Sequence, residues 1–166
     1  MNKNELPNKP GIYTLIIKLR KTKDIHIGGL GVHRFLDGIY TYTGSALGKK
    51  SMNLHNRLYY HVNQKTQKRW HIDYFLETDE TKLKAAVFTI TNLSCECVIS
   101  KKLINLEKAQ IILRRFGSSD CKSGCQSHLS FFNKIDYIDL IRKVRFIYKQ
   151  IGYSSVVFFD DNITKV

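Results

Sequence analysis

The chain has 166 residues, 43% of them apolar and only two of them proline, which suits one compact domain with a core of its own. A run of about eighteen apolar residues that could span a bilayer is missing, and the polar start Met1-Asn2-Lys3-Asn4-Glu5 lacks the apolar stretch of a signal peptide, so the expectation is a soluble, intracellular, cytoplasmic protein, free to associate with the nucleoid. Twenty-seven Lys and Arg against fourteen Asp and Glu give a formal charge of +13, more than solubility requires, which points to a polyanionic partner; without a basic amphipathic anchor or a lipidation signal that partner is nucleic acid and not a membrane.

Residues 11–18 (GIYTLIIK) alternate β-branched and aromatic residues behind Pro10-Gly11 and predict the opening strand of a sheet. Residues 24–28 form a short second strand candidate, Gly28, Gly29 and Gly31 mark a tight turn, and residues 38–44 read as a third strand, with an antiparallel meander as the expected topology. Residues 51–64 carry Met52, Leu54, Leu58, Tyr59 and Val62 at helical spacing, which puts Arg57 and His61 on one face. A short aromatic segment follows at 70–76, a strand at 84–91, and a broken helix over 96–116. Residues 117–127 are a polar, glycine-containing loop, 134–151 are helical through Ile135, Ile138, Ile141, Val144, Ile147 and Tyr148, and the tail from Ser154 adds a strand. The fold class is therefore α+β, a small, mostly antiparallel central sheet flanked by helices, with a main domain over 1–133 and a helical extension over 134–166 packed on it.

Charge and chemistry coincide in one stretch. Residues 38–72 contain no Asp or Glu but carry Lys49, Lys50, Arg57, Lys65, Lys68 and Arg69, and with Gly44, Ser45, Trp70 and His71 they form the candidate nucleic-acid contact. Trp70, His71, Asp73 and Tyr74 could stack on or hydrogen-bond an unpaired base; the alternative is that Trp70 and Tyr74 are core and Asp73 pairs with a Lys or Arg. Four cysteines without a secretory signal argue for reduced thiols or a metal site. Cys121, Cys125 and His128 have spacing that suits zinc, with Cys97 or Cys95 as a fourth ligand, and the alternative is a tight structural loop in which Ser118, Ser119 and Asp120 hydrogen-bond the backbone.

Gly11-Ile12-Tyr13 followed by Tyr42-Thr43-Gly44, then Arg57 on the next helix, resembles the GIY-YIG nuclease superfamily. Gly44-Ser45-Ala46, the block Trp70 to Tyr74, Glu96-Cys97, and Gly117 to Cys121 running on to Ser127-His128-Leu129 are similar to the branch long catalogued as a domain of unknown function, which occurs alone or fused to endonuclease III. The resemblance covers roughly residues 9–133 and implies a metal-dependent endonuclease that hydrolyses DNA phosphodiesters, with DNA preferred to RNA and repair as its setting. Two features depart from that pattern: 28 residues separate Tyr13 from Tyr42, far more than is usual, and Thr43 replaces an apolar residue.

Phosphodiester hydrolysis needs a deprotonated water, an offset for charge on the phosphate, and a stabilised leaving oxygen. The resemblance implies that Tyr13 and Tyr42 face each other near the attacking water, with Tyr42 or a neighbouring His as base. Arg57 is suited to clamp phosphate through its planar fork, with His61 moving a proton or holding phosphate beside it. Glu96 is the candidate ligand for Mg²⁺ or Mn²⁺, with Glu107 as runner-up. The bland alternatives make Arg57 and His61 ordinary surface residues and the tyrosines core packing. Two non-hydrolytic functions stay open: a nucleic-acid-binding module using the same groove without cutting, and a zinc-stabilised interaction module built on residues 117–129.

Overall fold

In a nine-residue strand of alternating large apolar side chains, both faces must find cover, and the first strand does. β1 (Gly11–Leu19) is buried almost throughout and lies between two partners, β4 (Gly38–Ala46) and β5 (Thr81–Ile90), antiparallel to both. The computed structural model describes residues 6–48, 52–63 and 67–159; Lys49, Lys50 and Lys65, expected to contact DNA, lie outside the described residues. β7 (Leu129–Phe132) extends the sheet beyond β4, β6 (Ala109–Gln110) pairs with β7, and β8 (Val156–Phe159) closes the other edge against β5. The result is a six-stranded antiparallel sheet in the order β6-β7-β4-β1-β5-β8, an α+β fold with four α-helices among the described residues.

The expected meander does not form. The second strand candidate is β2 (Lys23–His26), which pairs only with β3 (Val32–Phe35) in a separate hairpin, so that β1 passes directly to β4. Most of the hairpin faces solvent, with Ile25 and Phe35 turned into the core, and such short strands could not fill the doubly buried position beside β1. The long interval between Tyr13 and Tyr42 is thus taken up by this hairpin, and their strands remain adjacent.

One face of the sheet is covered by α1 (Leu54–Asn63), α2 (His71–Leu76) and the hairpin, around Tyr13, Tyr40, Phe35, Phe75, Phe116 and Phe131. Asn53 starts α1 by accepting the Asn56 amide at 2.9 Å. The opposite face is covered by α3 (Glu96–Ile104) and α4 (Tyr137–Gln150), which pack Ile99, Leu103, Leu140, Val144 and Tyr148 on Ile12, Ile16 and Val87. Burying each such side chain is worth about 1.5–3 kcal/mol, so α4 is part of the core and not an appendage. Thr43 faces this second core, where its hydroxyl lies 3.0 Å from that of Thr14, itself 3.1 Å from the Tyr148 hydroxyl; the buried oxygens satisfy one another.

The broken helix expected over 96–116 forms as far as Ile104, and residues 105–116 do not resume it. Lys108 (φ 67°) and Arg115 (φ 65°) occupy left-handed conformations that no helix accommodates, and Leu113 and Phe116 are buried from an irregular segment under the aromatic cluster. No helix among the described residues is long and apolar enough to cross a membrane.

Candidate active site and metal-ligand cluster

The site starts at a register pair, Tyr13 opposite Gly44. A Cβ at position 44 would come within 2.6 Å of the Tyr13 hydroxyl, so the bare glycine is what lets the phenol lie across β4. Above it, α1 presents Arg57 and His61 one turn apart, and both are buried, at 8% and 2% exposure, which excludes the surface-residue alternative for each. The Tyr13 hydroxyl lies 2.8 Å from His61 Nε2 and accepts a hydrogen bond from Arg57 Nε at 3.2 Å. The Asp73 carboxylate facing Nδ1 favours the imidazole proton on that nitrogen, and the Tyr13 hydroxyl then donates to Nε2 while accepting from Arg57.

His61 Nδ1 faces Asp73 Oδ1 at 3.5 Å, longer than a hydrogen bond, and neither atom has another partner among the described residues. The other oxygen of Asp73 reaches back to the start of α2 and accepts the amides of Arg69 (2.8 Å) and Trp70 (2.9 Å). Asp73 therefore pairs with a histidine and two amides, not with the Lys or Arg expected from sequence. Burial would raise its carboxyl pKa, but the facing His61 ring and the two amide donors outweigh that and hold it below the ordinary value. Burial lowers the His61 pKa, keeping the ring neutral, and raises that of Tyr13 against the opposing pull of Arg57.

Arg57 lies flat on Trp70, its guanidinium carbon 3.4 Å from the ring centroid, so that one face of the indole is already taken. No carboxylate pairs with Arg57 among the described residues, and its Nη1 is buried without a hydrogen-bond partner. This cation forms part of the wall of an open pocket of about 440 Å³, together with Tyr42, Gly44, Ser45, Arg69, Trp70 and His71. Glu96 and Asp120 are the acidic residues of its lining among those described, and Lys122 is a further cation on it. Glu96, the first residue of α3, is half-buried and accepts the Ser94 hydroxyl at 3.0 Å.

Tyr42 is nearly buried against Phe116, and burial raises the pKa of its phenol well above the usual range. Gly117 (φ 69°) passes so close to it that a Cβ there would lie 2.8 Å from the ring. The Gly117 amide donates to His71 Nδ1 at 3.0 Å, which places the proton of the neutral His71 ring on Nε2. Lys68 and Tyr74 stand apart: Lys68 is ion-paired with Glu77 and lies over the Tyr74 ring, and Tyr74 packs against His26 and Gly28 of the hairpin region. Glu107 is exposed and does not line the pocket.

On the pocket wall, which Cys97, Cys121 and His128 help to line, Cys97 of α3 meets Cys121, Cys125 and His128 from the loop at 117–128, their ligand atoms all within 4.8 Å of one another. This Cys₃His cluster can hold a metal ion. Cys97 is the fourth member, while Cys95, the other option in the sequence, is buried in the second core, and Asp120 belongs to the pocket instead. Burial opposes ionisation of Cys121, but hydrogen bonds from the Cys125 backbone, the Cys97 and Cys125 thiols and the Ser123 backbone prevail and bring its thiol down to about 7. In the loop, Ser119 Oγ donates to the Arg115 carbonyl at 3.1 Å, whereas the buried Ser118 hydroxyl has no partner among the described residues.

Sequence reasoning did not connect Asp73 to His61. The usable signal was an acid three residues after the Trp70 helix boundary, a position from which a carboxylate reaches back to free amides. The profile of the family described as "Domain of unknown function DUF123" matches residues 12–150, from β1 to the end of α4, and the chain belongs to that family. No curated protein and no solved structure matches the chain significantly.

Proposed function

We propose that this chain is a metal-dependent DNA endonuclease of the GIY-YIG type, hydrolysing phosphodiester bonds in the pocket above Tyr13 and Tyr42. The observation that carries the reading is Arg57: a buried cation, stacked on Trp70, with no carboxylate partner among the described residues and with Nη1 unpaired at a pocket wall. A buried charge without a counter-charge is costly, and a phosphate oxygen is the anion this planar donor suits.

The sequence favoured Tyr42 or a neighbouring His as the activator of water. The hydrogen bonds favour Tyr13, which has an acceptor in His61 Nε2 and a stabilising cation in Arg57, with Asp73 behind the imidazole to favour its protonated form. In this reading the Tyr13 hydroxyl, buried behind Gly44 at the pocket floor, gives its proton to His61 and takes one from the attacking water once substrate binding admits that water past Gly44. Tyr42, whose phenol stays protonated, donates a hydrogen bond to the substrate from the pocket wall. His71 Nε2–H supplies a second neutral donor, and Arg69 and Lys122 offset flanking phosphates.

Glu96 and Asp120 offer the hard oxygen donors that Mg²⁺ or Mn²⁺ accepts, with water and phosphate completing the set. Such an ion would offset charge at the phosphate and leaving oxygen. The test is incubation of the wild type, Glu96→Ala and Arg57→Ala with labelled duplex, flap and single-stranded DNA, with Mg²⁺ or Mn²⁺ and with chelator. Metal-dependent nicking by the wild type alone is expected. Salt-sensitive binding by all three proteins without any cleavage would replace the reading with a non-catalytic nucleic-acid-binding module.

A further inference from the structure

We infer that Cys97, Cys121, Cys125 and His128 form a structural zinc site that fastens the loop over residues 117–128 to the first turn of α3. The site does not depend on what the pocket does. Its donors are three sulfurs and one imidazole nitrogen, soft and borderline ligands that suit Zn²⁺ and not the hard cations expected at Glu96.

The spacing fits. Zn–S bonds of about 2.3 Å and Zn–N bonds of about 2.0 Å in a tetrahedron put sulfurs about 3.8 Å apart and sulfur and nitrogen about 3.5 Å apart. Here Cys97 Sγ lies 3.8 Å from His128 Nε2 and 3.3 Å from Cys121 Sγ, and all four atoms fall within 4.8 Å of one another. Opening the Cys97–Cys121 pair by about half an ångström, and closing the other separations by about an ångström at most, would complete the tetrahedron. With four protein ligands the coordination is closed, as in structural sites. Three thiolates and a dication leave one net negative charge; Lys101, whose Nζ donates to the Ser123 carbonyl at 2.6 Å, and the adjacent Lys122 supply the offset.

The loop also needs such a fastening. Residues 117–127 (GSSDCKSGCQS) contain no large apolar side chain, so hydrophobic burial cannot hold them. Gly124, at φ 68°, makes the turn that brings Cys125 back toward Cys121. His128 is already anchored at the other end, its amide donating to the Phe116 carbonyl (2.8 Å) and its carbonyl accepting the Thr43 amide (3.0 Å). Because Glu96 adjoins Cys97 and Asp120 adjoins Cys121, the ion would also set the distance between the two carboxylates of the pocket.

The experiment uses the full chain purified without metal-affinity steps. Elemental analysis should find about one zinc per chain, unchanged in Cys95→Ser and reduced to background in Cys97→Ser and Cys125→Ser. Replacement by Co²⁺ should give the intense visible bands of a tetrahedral ion and a thiolate charge-transfer band. If the cysteine variants fail to fold, chelation of the wild type decides: it should speed hydrogen exchange over 117–128 while sparing β1 and β4. Absence of zinc after equimolar loading, an octahedral Co²⁺ spectrum, or recovery of Cys97 and Cys121 as a disulfide from zinc-loaded protein would overturn the inference.

Discussion

Asp73→Asn probes the link between Asp73, His61 and Tyr13 with almost no change in shape. Asp73 is 7% exposed, and the amides of Arg69 and Trp70 both donate to its Oδ2. Those donors would hold the one oxygen of Asn in place, which turns the new NH₂ toward His61 Nδ1. A donor then faces a donor, and His61 should move its proton to Nε2, which reverses the 2.8 Å hydrogen bond so that the Tyr13 hydroxyl accepts from the ring and loses its proton acceptor. Weakening two charge-assisted hydrogen bonds to neutral ones costs about 1–3 kcal/mol in stability. At about 2–4 °C per kcal/mol for a chain of this size, Tm should fall by roughly 2–12 °C. The informative readout is the ¹⁵N spectrum of the His61 ring, where the protonated nitrogen should change from Nδ1 to Nε2. Cleavage, if Tyr13 and His61 supply acid–base catalysis, should fall about 10²–10⁴-fold. A lower Tm with an unchanged His61 tautomer and unchanged cleavage would reduce Asp73 to a cap for α2 and refute the reasoning.

Gly44→Ala forces a methyl within 2.6 Å of a fully buried phenol and should destabilise the fold by about 1–3 kcal/mol, read from the urea midpoint; wild-type stability would show that Tyr13 moves freely. Thr43→Val removes one buried hydrogen bond while Thr14 keeps that to Tyr148, so a loss of about 0.5–1.5 kcal/mol is expected, and a more stable variant would contradict the pairing. Arg57→Lys keeps the charge but loses the flat contact with Trp70 and the Nε bond to Tyr13; it should bind DNA with a similar salt slope yet cut it at least about tenfold more slowly, whereas wild-type rates would remove the bidentate role. Burial depresses the pKa of His61, which faces Tyr13, Arg57, Tyr60, Trp70 and Asp73, and that of His71, so folding favours their neutral forms. Their contribution is present above the unfolded value of about 6.5 and declines as pH falls through and below it, so denaturant midpoints should drop between pH 7.5 and 5.5; a flat profile would place both rings in water-like surroundings.

The sheet was legible because β1 and β4 are short runs of β-branched and aromatic residues opened by glycine, the near-continuous pattern that burial on both faces demands. Its wiring was not. Nothing in residues 20–37 states that β2 and β3 pair with each other alone; that follows from competition, since β4 offers β1 a nine-residue partner and β2 offers only four residues. The helix predicted over 96–116 shows a different failure. Ile111, Ile112, Leu113 and Phe116 have plausible helical spacing, but the tertiary demand to cap the aromatic cluster around Phe35 and Phe75 places Phe116 in an irregular segment instead. Thr43, which departs from the family pattern as read from sequence, makes sense only once α4 delivers Tyr148 to the far side of the sheet.

At the site, Arg57 and His61 could be assigned to one face from their spacing, but spacing is silent on whether that face meets water or protein. Here burial changes the inference. An exposed Arg in an acid-free stretch needs no partner, because water solvates it and its charge adds to a diffuse field. An Arg at 8% exposure, stacked on an indole and lacking a carboxylate among the described residues, has lost most of that solvation. Had the pocket evolved only to be filled by its own chain, the economical solution would be a neutral side chain or a nearby acid. Asp73, the buried acid of the same cluster, is instead turned to His61 and two amides. The exposed cations of this chain can attract a polyanion from a distance, whereas on the proposed reading Arg57, which bonds Tyr13 and shares the pocket wall with Glu96, holds one phosphate where a proton can be moved, and so a variant lacking this guanidinium should separate DNA retention from DNA cleavage.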